Sequence, residues 1–356
     1  MLCFGRYNWG IGFKRKGPVM LKAIFGFSSN TDFYNPVGKP VHDLLSTKEK
    51  IKGRVLPLLG QVSLFALSVG MSAMGASLEE AALSVGILGG LAAYMRHSQL
   101  SNYKKKLDNE NLYDLSTPQD AARFHEKYPE HKGLPAQLHL IAAEAGLDKP
   151  PLLHVGENTD YAAILDLDFG KKKNLLIEIN PKILKEESPA LVAHLLAHEM
   201  GHGRLGHTNS LPAVVSGTAI GAHISAGVQM AVSGNYLGGI FYTVAALTAH
   251  KMAGAKSQQY KERECDRHAL LVSGVGREAA DFFEKGTTQL EKGAPLPLRI
   301  AFGAIDTYQS LMAAHPSHEK RTQYFRDFTD ANHAYLEKTR IKNGLVPSKP
   351  HRFKMV

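Results

Sequence analysis

Charge is missing from three long tracts of the chain, and these tracts organise everything around them. Val55 to Leu78 contains no Asp, Glu, Lys or Arg. A helix of that length can cross the apolar layer of a bilayer, which takes about 17–25 residues. Ala81 to Met95 is shorter and is parted from the first tract only by Glu79-Glu80. The two predict a transmembrane helical hairpin over 55–98 with an acidic tip. Leu205 to His250 is the third tract, long enough for two passes with a turn at Gly234-Asn235. Its Gly, Ser and Ala content suits close helix packing in lipid and also suits a soluble core. The mean hydropathy of −0.18 is low for a chain with four spans.

Between and after these tracts the pattern changes. Residues 99–133 are polar and charged and read as a linker. Residues 134–335 mix helical spacing with short apolar runs such as "KNLLIEI", which predicts a mainly α unit with a small β-sheet, the α+β class, carrying the apolar tract 205–250 as an insert.

Charge sets the orientation. Lys48, Lys50, Lys52 and Arg54 precede the hairpin, and Arg96 and Lys104 to Lys106 follow it. The positive-inside rule places both ends, and the region that follows, on the cytoplasmic side of a multi-pass membrane protein. The chain has a formal net charge of +9, but its basic residues gather beside apolar segments, in the arm 1–54 and in the tail 336–356. No nucleic-acid reading motif accompanies them, so the partner they imply is membrane lipid and not nucleic acid. Two cysteines, Cys3 and Cys265, are too few for a disulfide framework, and a reducing compartment is the default.

The candidate chemistry lies in "LVAHLLAHEMGHGRLGH", residues 191–207. Ser188-Pro189 predicts the start of a helix, a cap followed by proline in the first turn. His198 and His202 are four apart, so they share one helical face and can present both imidazoles to one ion. Glu199 falls about 100° away, where a general base for an attacking water would sit. His194 extends the stripe as a structural or supporting residue. A bare H-E-x-x-H arises by chance, so a third ligand has to decide. The metzincin pattern fails, because Leu205 and Thr208 occupy its glycine and histidine positions. The alternative is a carboxylate from a later helix. "QQYKERECDRHALL" offers Glu262 and Asp266 on one face; Glu262 can complete a His₂Glu site with one open position. Asp266 can orient a ligand histidine through its other ring nitrogen, although the two could exchange roles.

These motifs resemble those of the HtpX-like and CAAX prenyl protease-type membrane zinc metallopeptidases. The family's H-E-x-x-H, hydrophobic insert and E-x-x-x-D stand here as His198 to His202, 205–250, and Glu262 to Asp266, followed by "HPSHEKR" with His315, Pro316 and Arg321. The resemblance implies a zincin-like domain of the gluzincin type over 134–335. It implies one Zn²⁺ per chain on His198, His202 and Glu262, and Glu199 as catalytic base. His315 is the candidate further donor to the oxyanion, because its motif recurs in the family. The substrate would be a polypeptide, cleaved in protein quality control or processing. One departure is "NTDYAAILD", where Tyr161-Ala162 replaces an Asn-Ala pair beside the substrate edge. We expect Leu175 to Ile179 to be the edge strand that takes substrate as an added strand. The rival reading, a non-proteolytic zinc-binding membrane scaffold or adaptor, has no use for the base at Glu199. Nothing in the sequence speaks to oligomeric state.

Overall fold

The computed structural model describes residues 33–40, 43–75, 109–166, 175–207, 211–285 and 315–345, together with isolated positions between 86 and 107. Residues 1–32 of the basic arm, the expected Glu79-Glu80 tip and the tail beyond 345 lie outside the described residues.

The first described helix starts at a capping box. Ser46 accepts from the Glu49 backbone and the Glu49 side chain returns to the Ser46 N–H, opening α1 (Thr47–Lys50). A π-helical turn, Ile51–Val55, carries it into α2 (Leu56–Gly75). Gly53 in that turn lies against a later helix so closely that a Cβ would meet the Tyr260 ring.

Residues 109–131, expected as a polar linker, hold β1 (Leu112–Tyr113) and α3 (Pro118–Lys127). Tyr113 and Phe124 are fully buried edge to face, with ring centroids 5.3 Å apart. The apolar residues of this stretch are few, which is why its composition reads as linker. Next come α4 (Leu134–Glu144), β2 (Leu152–Val155), β3 (Ala162–Asp166) and β4 (Leu175–Ile179). The sheet order is β1-β2-β4-β3, with β4 parallel to β2 and antiparallel to β3.

That order corrects one expectation. β4 is paired on both sides and buried at all five positions, so Leu175 to Ile179 is an interior strand and cannot accept an added strand. The physical signal was its apolar run, which suits a strand covered on both faces better than an edge. The edge beside the site is β3, whose pairing runs from Ala162 opposite Ile179 to Asp166 opposite Leu175.

Two helices follow the sheet, α5 (Pro181–Glu186) and α6 (Pro189–Arg204). α6 is the central helix of the core: Leu191, Val192, Leu196 and Met200 pack with Ile141 of α4, Ile177 of β4 and Phe325. The apolar insert forms α7 (Leu211–Val232) and the first half of α8 (Tyr236–Ser273), joined at Gly234, φ +94°, and Asn235, whose side chain caps α8. α8 runs unbroken for 38 residues, about 57 Å, so the second half of the apolar insert and the Glu262–Asp266 motif share one helix. α9 (Arg277–Lys285), α10 (His318–Ala331) and α11 (His333–Lys342) close the unit.

α2, α7 and the first half of α8 pack together with their outer faces bare. Leu237 is 82% exposed and Phe241 77%. At the crossing of α7 and α8, a Cβ on Gly239 would come within 2.3 Å of the Gly227 carbonyl, so small residues let the backbones touch. Among the described residues one helix, Thr47–Met71, with mean hydropathy 1.4, is long and apolar enough to cross a membrane.

Candidate metal centre

α6 begins where its sequence predicts: Ser188 is the N-cap, its hydroxyl accepts from Leu191 N at 3.2 Å, and Pro189 opens the first turn. Two glycines set how closely the helix is held. A Cβ on Gly203 would lie 2.9 Å from Leu175 and 3.0 Å from Ile164, and one on Gly201 would meet His268 at 3.1 Å and the Cys265 backbone at 3.4 Å. The helix is thereby pressed between the sheet and α8. The contact with α8 brings Glu262 up to the two histidines.

Three donor groups converge there, two imidazoles and a carboxylate. His198 Nε2 and His202 Nε2 stand 3.2 Å apart; Glu262 Oε2 is 3.2 Å from the first and Glu262 Oε1 is 3.3 Å from the second. Donors about 2.0–2.1 Å from a tetrahedral zinc stand roughly 3.3–3.4 Å from one another. The spacing of the two imidazole nitrogens, and of each from the carboxylate oxygen that faces it, matches the donor spacing of a three-ligand zinc site with one position open, with the carboxylate turning one oxygen to each histidine. The donor types, two imidazoles and a carboxylate, suit the same ion. His315 Nδ1 approaches Glu262 Oε2 at 3.0 Å, with its side chain 66% exposed.

Asp266 and Glu262 approach different nitrogens. Asp266 Oδ1 lies 3.0 Å from His198 Nδ1, the nitrogen turned away from Glu262, at ion-pair distance but off the line of the ring N–H. Its far side is held by Arg321, whose Nε donates to Oδ2 at 3.0 Å and whose guanidinium lies 3.8 Å over the Phe283 ring. One imidazole thus faces two carboxylates. Burial would lower the His198 pKa, but Asp266 and Glu262 outweigh it and hold the ring up at about 10. Glu262 falls well below the ordinary carboxylate range, because contacts from His198, His202 and His315 overcome its burial. Asp266 is also lowered: burial opposes, and Arg321 and His198 prevail. So much negative charge around buried imidazoles is the setting a cation would fill.

Glu199 lies on the sheet side of α6. Its Oε2 accepts the Ile164 N–H at 3.0 Å, so the side of β3 that has no strand neighbour among the described residues fixes the carboxylate. Its pKa is raised: burial is the largest cause and Glu262 adds to it, against the neighbouring His198 and His202 and the Ile164 amide. His194 is packed away from the donor triangle, with Nδ1 3.0 Å from Ser273 Oγ and its ring edge-on to Phe325; burial lowers its pKa to about 3.

A chamber of about 1420 Å³ opens over these groups. One wall is the donor triangle with the Tyr161–Leu165 edge. The other is built from the apolar helices, including Phe65 of α2, Val215 of α7 and His250 of α8.

Sequence reasoning brought His198, Glu199, His202, Glu262 and Asp266 to one place, and His315 to its rim. It did not reach the Ile164 amide, the pairing of Arg321 with Asp266, or the position of His207. The last had a signal: Gly206 takes a left-handed φ of +74° just past the end of α6 and turns the chain back, so that His207 lies over His202.

No curated protein and no solved structure matches the chain significantly. The profile of Peptidase family M48 matches residues 132–329, more than half of the chain and a span that contains the donor triangle, Asp266, His315 and Arg321. The chain belongs to Peptidase family M48, and is accordingly a metallopeptidase that acts on polypeptides.

Proposed function

We propose that the protein is a zinc-dependent endopeptidase anchored in a membrane, with its site on the cytoplasmic side, acting in protein processing or quality control. The observation that carries the zinc reading is the convergence of His198, His202 and Glu262: the two Nε2 atoms stand 3.2 Å apart, and each faces one Glu262 oxygen at 3.2–3.3 Å. Zinc, when bound, supplies a Lewis acid for the scissile carbonyl and an acidified water. Glu199 takes the proton of the attacking water and passes it to the leaving amine, and its raised pKa, caused chiefly by burial, makes it a stronger base than an ordinary carboxylate. His315, beside Glu262, donates to the developing oxyanion. Asp266, clamped by Arg321, keeps the His198 ring turned to the metal. The outer edge of β3, whose Ile164 amide holds Glu199, takes the peptide backbone as an added strand through its remaining outward groups, which gives binding without strict sequence demands.

The membrane reading rests on Thr47–Met71 and on the bare outer faces of α7 and α8, notably Leu237 and Phe241. Lys48, Lys50, Lys52 and Arg54 before the first apolar tract and Lys104 to Lys106 after the second favour cytoplasmic ends.

Cleavage of denatured casein by the purified chain is the test. The expected result is internal fragments, lost on chelation and restored by added zinc. A chain holding one zinc per molecule that cleaves no unfolded polypeptide overturns the peptidase assignment in favour of a scaffold.

A further inference from the structure

The turn after α6 builds a second line of polar groups behind the donor triangle. His202 presents Nε2 to His198 and Glu262; its other nitrogen, Nδ1, lies 3.2 Å from His207 Nδ1. His207 Nε2 lies 3.3 Å from Glu264 Oε2, and Glu264 is 1% exposed. Arg54, in the π-helical turn that leads into α2, pairs with the same carboxylate oxygen at 2.5 Å. The side chains of His207 and Glu264 are both nearly buried.

We propose that His207 is a positioning residue for His202, held in turn by Glu264 and Arg54, so that each metal-binding histidine has its own orienting chain. This rests on the zinc site proposed above. The proton count admits one arrangement. If His202 binds an ion through Nε2, its Nδ1 must carry hydrogen, and among the described residues the acceptor facing it is His207 Nδ1. His207 then carries its proton on Nε2 and donates it to Glu264, whose charge Arg54 balances. The relay Arg54–Glu264–His207–His202 does for the second imidazole what Arg321–Asp266 does for the first. It also ties the metal site to the root of the helix entering the apolar bundle.

One competing arrangement uses the same atoms. Cys265 Sγ lies 3.5 Å from His207 Nδ1, and Cys265, His202 and His207 could together surround an ion of their own. That requires His202 to bind through both nitrogens and so to lose both protons. The thiol, a weak and more distant donor, does not displace the ring N–H from His207.

The test compares full-length His207→Phe, His207→Gln and Glu264→Leu with the wild type by zinc competition against a chelator of known affinity. Phenylalanine keeps the volume without the acceptor, and glutamine restores one acceptor and one donor. The expected result is zinc binding weakened about 10- to 100-fold in His207→Phe, largely recovered in His207→Gln, and weakened in Glu264→Leu. The visible spectrum of the cobalt-loaded protein should change in His207→Phe and return towards wild type in His207→Gln, which loss of packing alone would not produce. Zinc affinity unchanged in His207→Phe, or in Glu264→Leu should the first variant not fold, overturns the relay. So does a second zinc per wild-type chain that is lost with Cys265→Ala. A wild-type chain that holds no zinc defeats the underlying site, which is a different outcome from a zinc-loaded wild type indifferent to His207.

Discussion

Replacing Asp266 with asparagine separates the donor triangle from its support. The amide has the volume of the carboxylate and keeps one oxygen facing His198 Nδ1, but the charge that holds the imidazole and Arg321 is gone. Asp266 lies 3.0 Å from the ring nitrogen opposite the one facing Glu262, so the variant leaves all three donors in place. Loss of such a supporting carboxylate weakens metal binding about 10- to 100-fold, roughly 1.4–2.7 kcal/mol. Glu262→Ala removes a donor and leaves two histidines, so its loss should exceed that range. There is a second, separable cost. Arg321, its side chain only 10% exposed, is left without a counter-charge, and breaking a buried pair destabilises by about 3–5 kcal/mol. Adding Arg321→Met to Asp266→Asn should restore thermal stability but not zinc affinity. The assay is chelator competition on full-length protein, with thermal unfolding of the zinc-free forms alongside. If Asp266→Asn loses more zinc than Glu262→Ala, the third donor is Asp266 and the assignment is wrong.

Other consequences lie away from the metal. Glu49, with its side chain 12% exposed, is ion-paired to the buried Arg267. Glu49→Gln removes that counter-charge, so the variant should unfold at a lower temperature than wild type; an unchanged unfolding temperature refutes a stabilising role for the pair. Gly239→Leu should separate α7 from α8, since even a Cβ there meets the Gly227 carbonyl at 2.3 Å, and accessibility of a cysteine placed at the buried Ala226 to a thiol reagent should rise. If the full-length chain instead leaves the membrane on alkaline carbonate extraction, the anchoring proposal fails.

What could be read from sequence was local and periodic. The cap at Ser188, the shared face of His198 and His202 and the reach of Glu262 follow from helical spacing plus charge in an apolar run. The turn at Gly234-Asn235 was equally plain, because the chemistry of a turn is written in its own residues. Pairing across the fold was not. The apolar run "LLIEI" speaks for a strand covered on both faces, but it does not name its neighbours; those depend on β3 adding to the far side of β4. Nor does any spacing connect Arg54 with Glu264, 210 positions later, or the Ile164 amide with Glu199. Residues 109–131 misled through composition: Tyr113 and Phe124 are two aromatic anchors in a charged stretch, and they bury it.

The most direct test of the central reading is Glu199→Gln at equal zinc occupancy. Glutamine keeps the shape and can still face the Ile164 amide, and the donor triangle is untouched, so the variant should bind one zinc per chain as the wild type does. Without a base for the attacking water, the rate of peptide cleavage should fall at least about 10²- to 10⁴-fold. Zinc content by elemental analysis, measured on the same samples as the cleavage of a quenched peptide, gives both quantities. Equal zinc with cleavage reduced to that extent is the predicted result; equal zinc with wild-type cleavage contradicts the account.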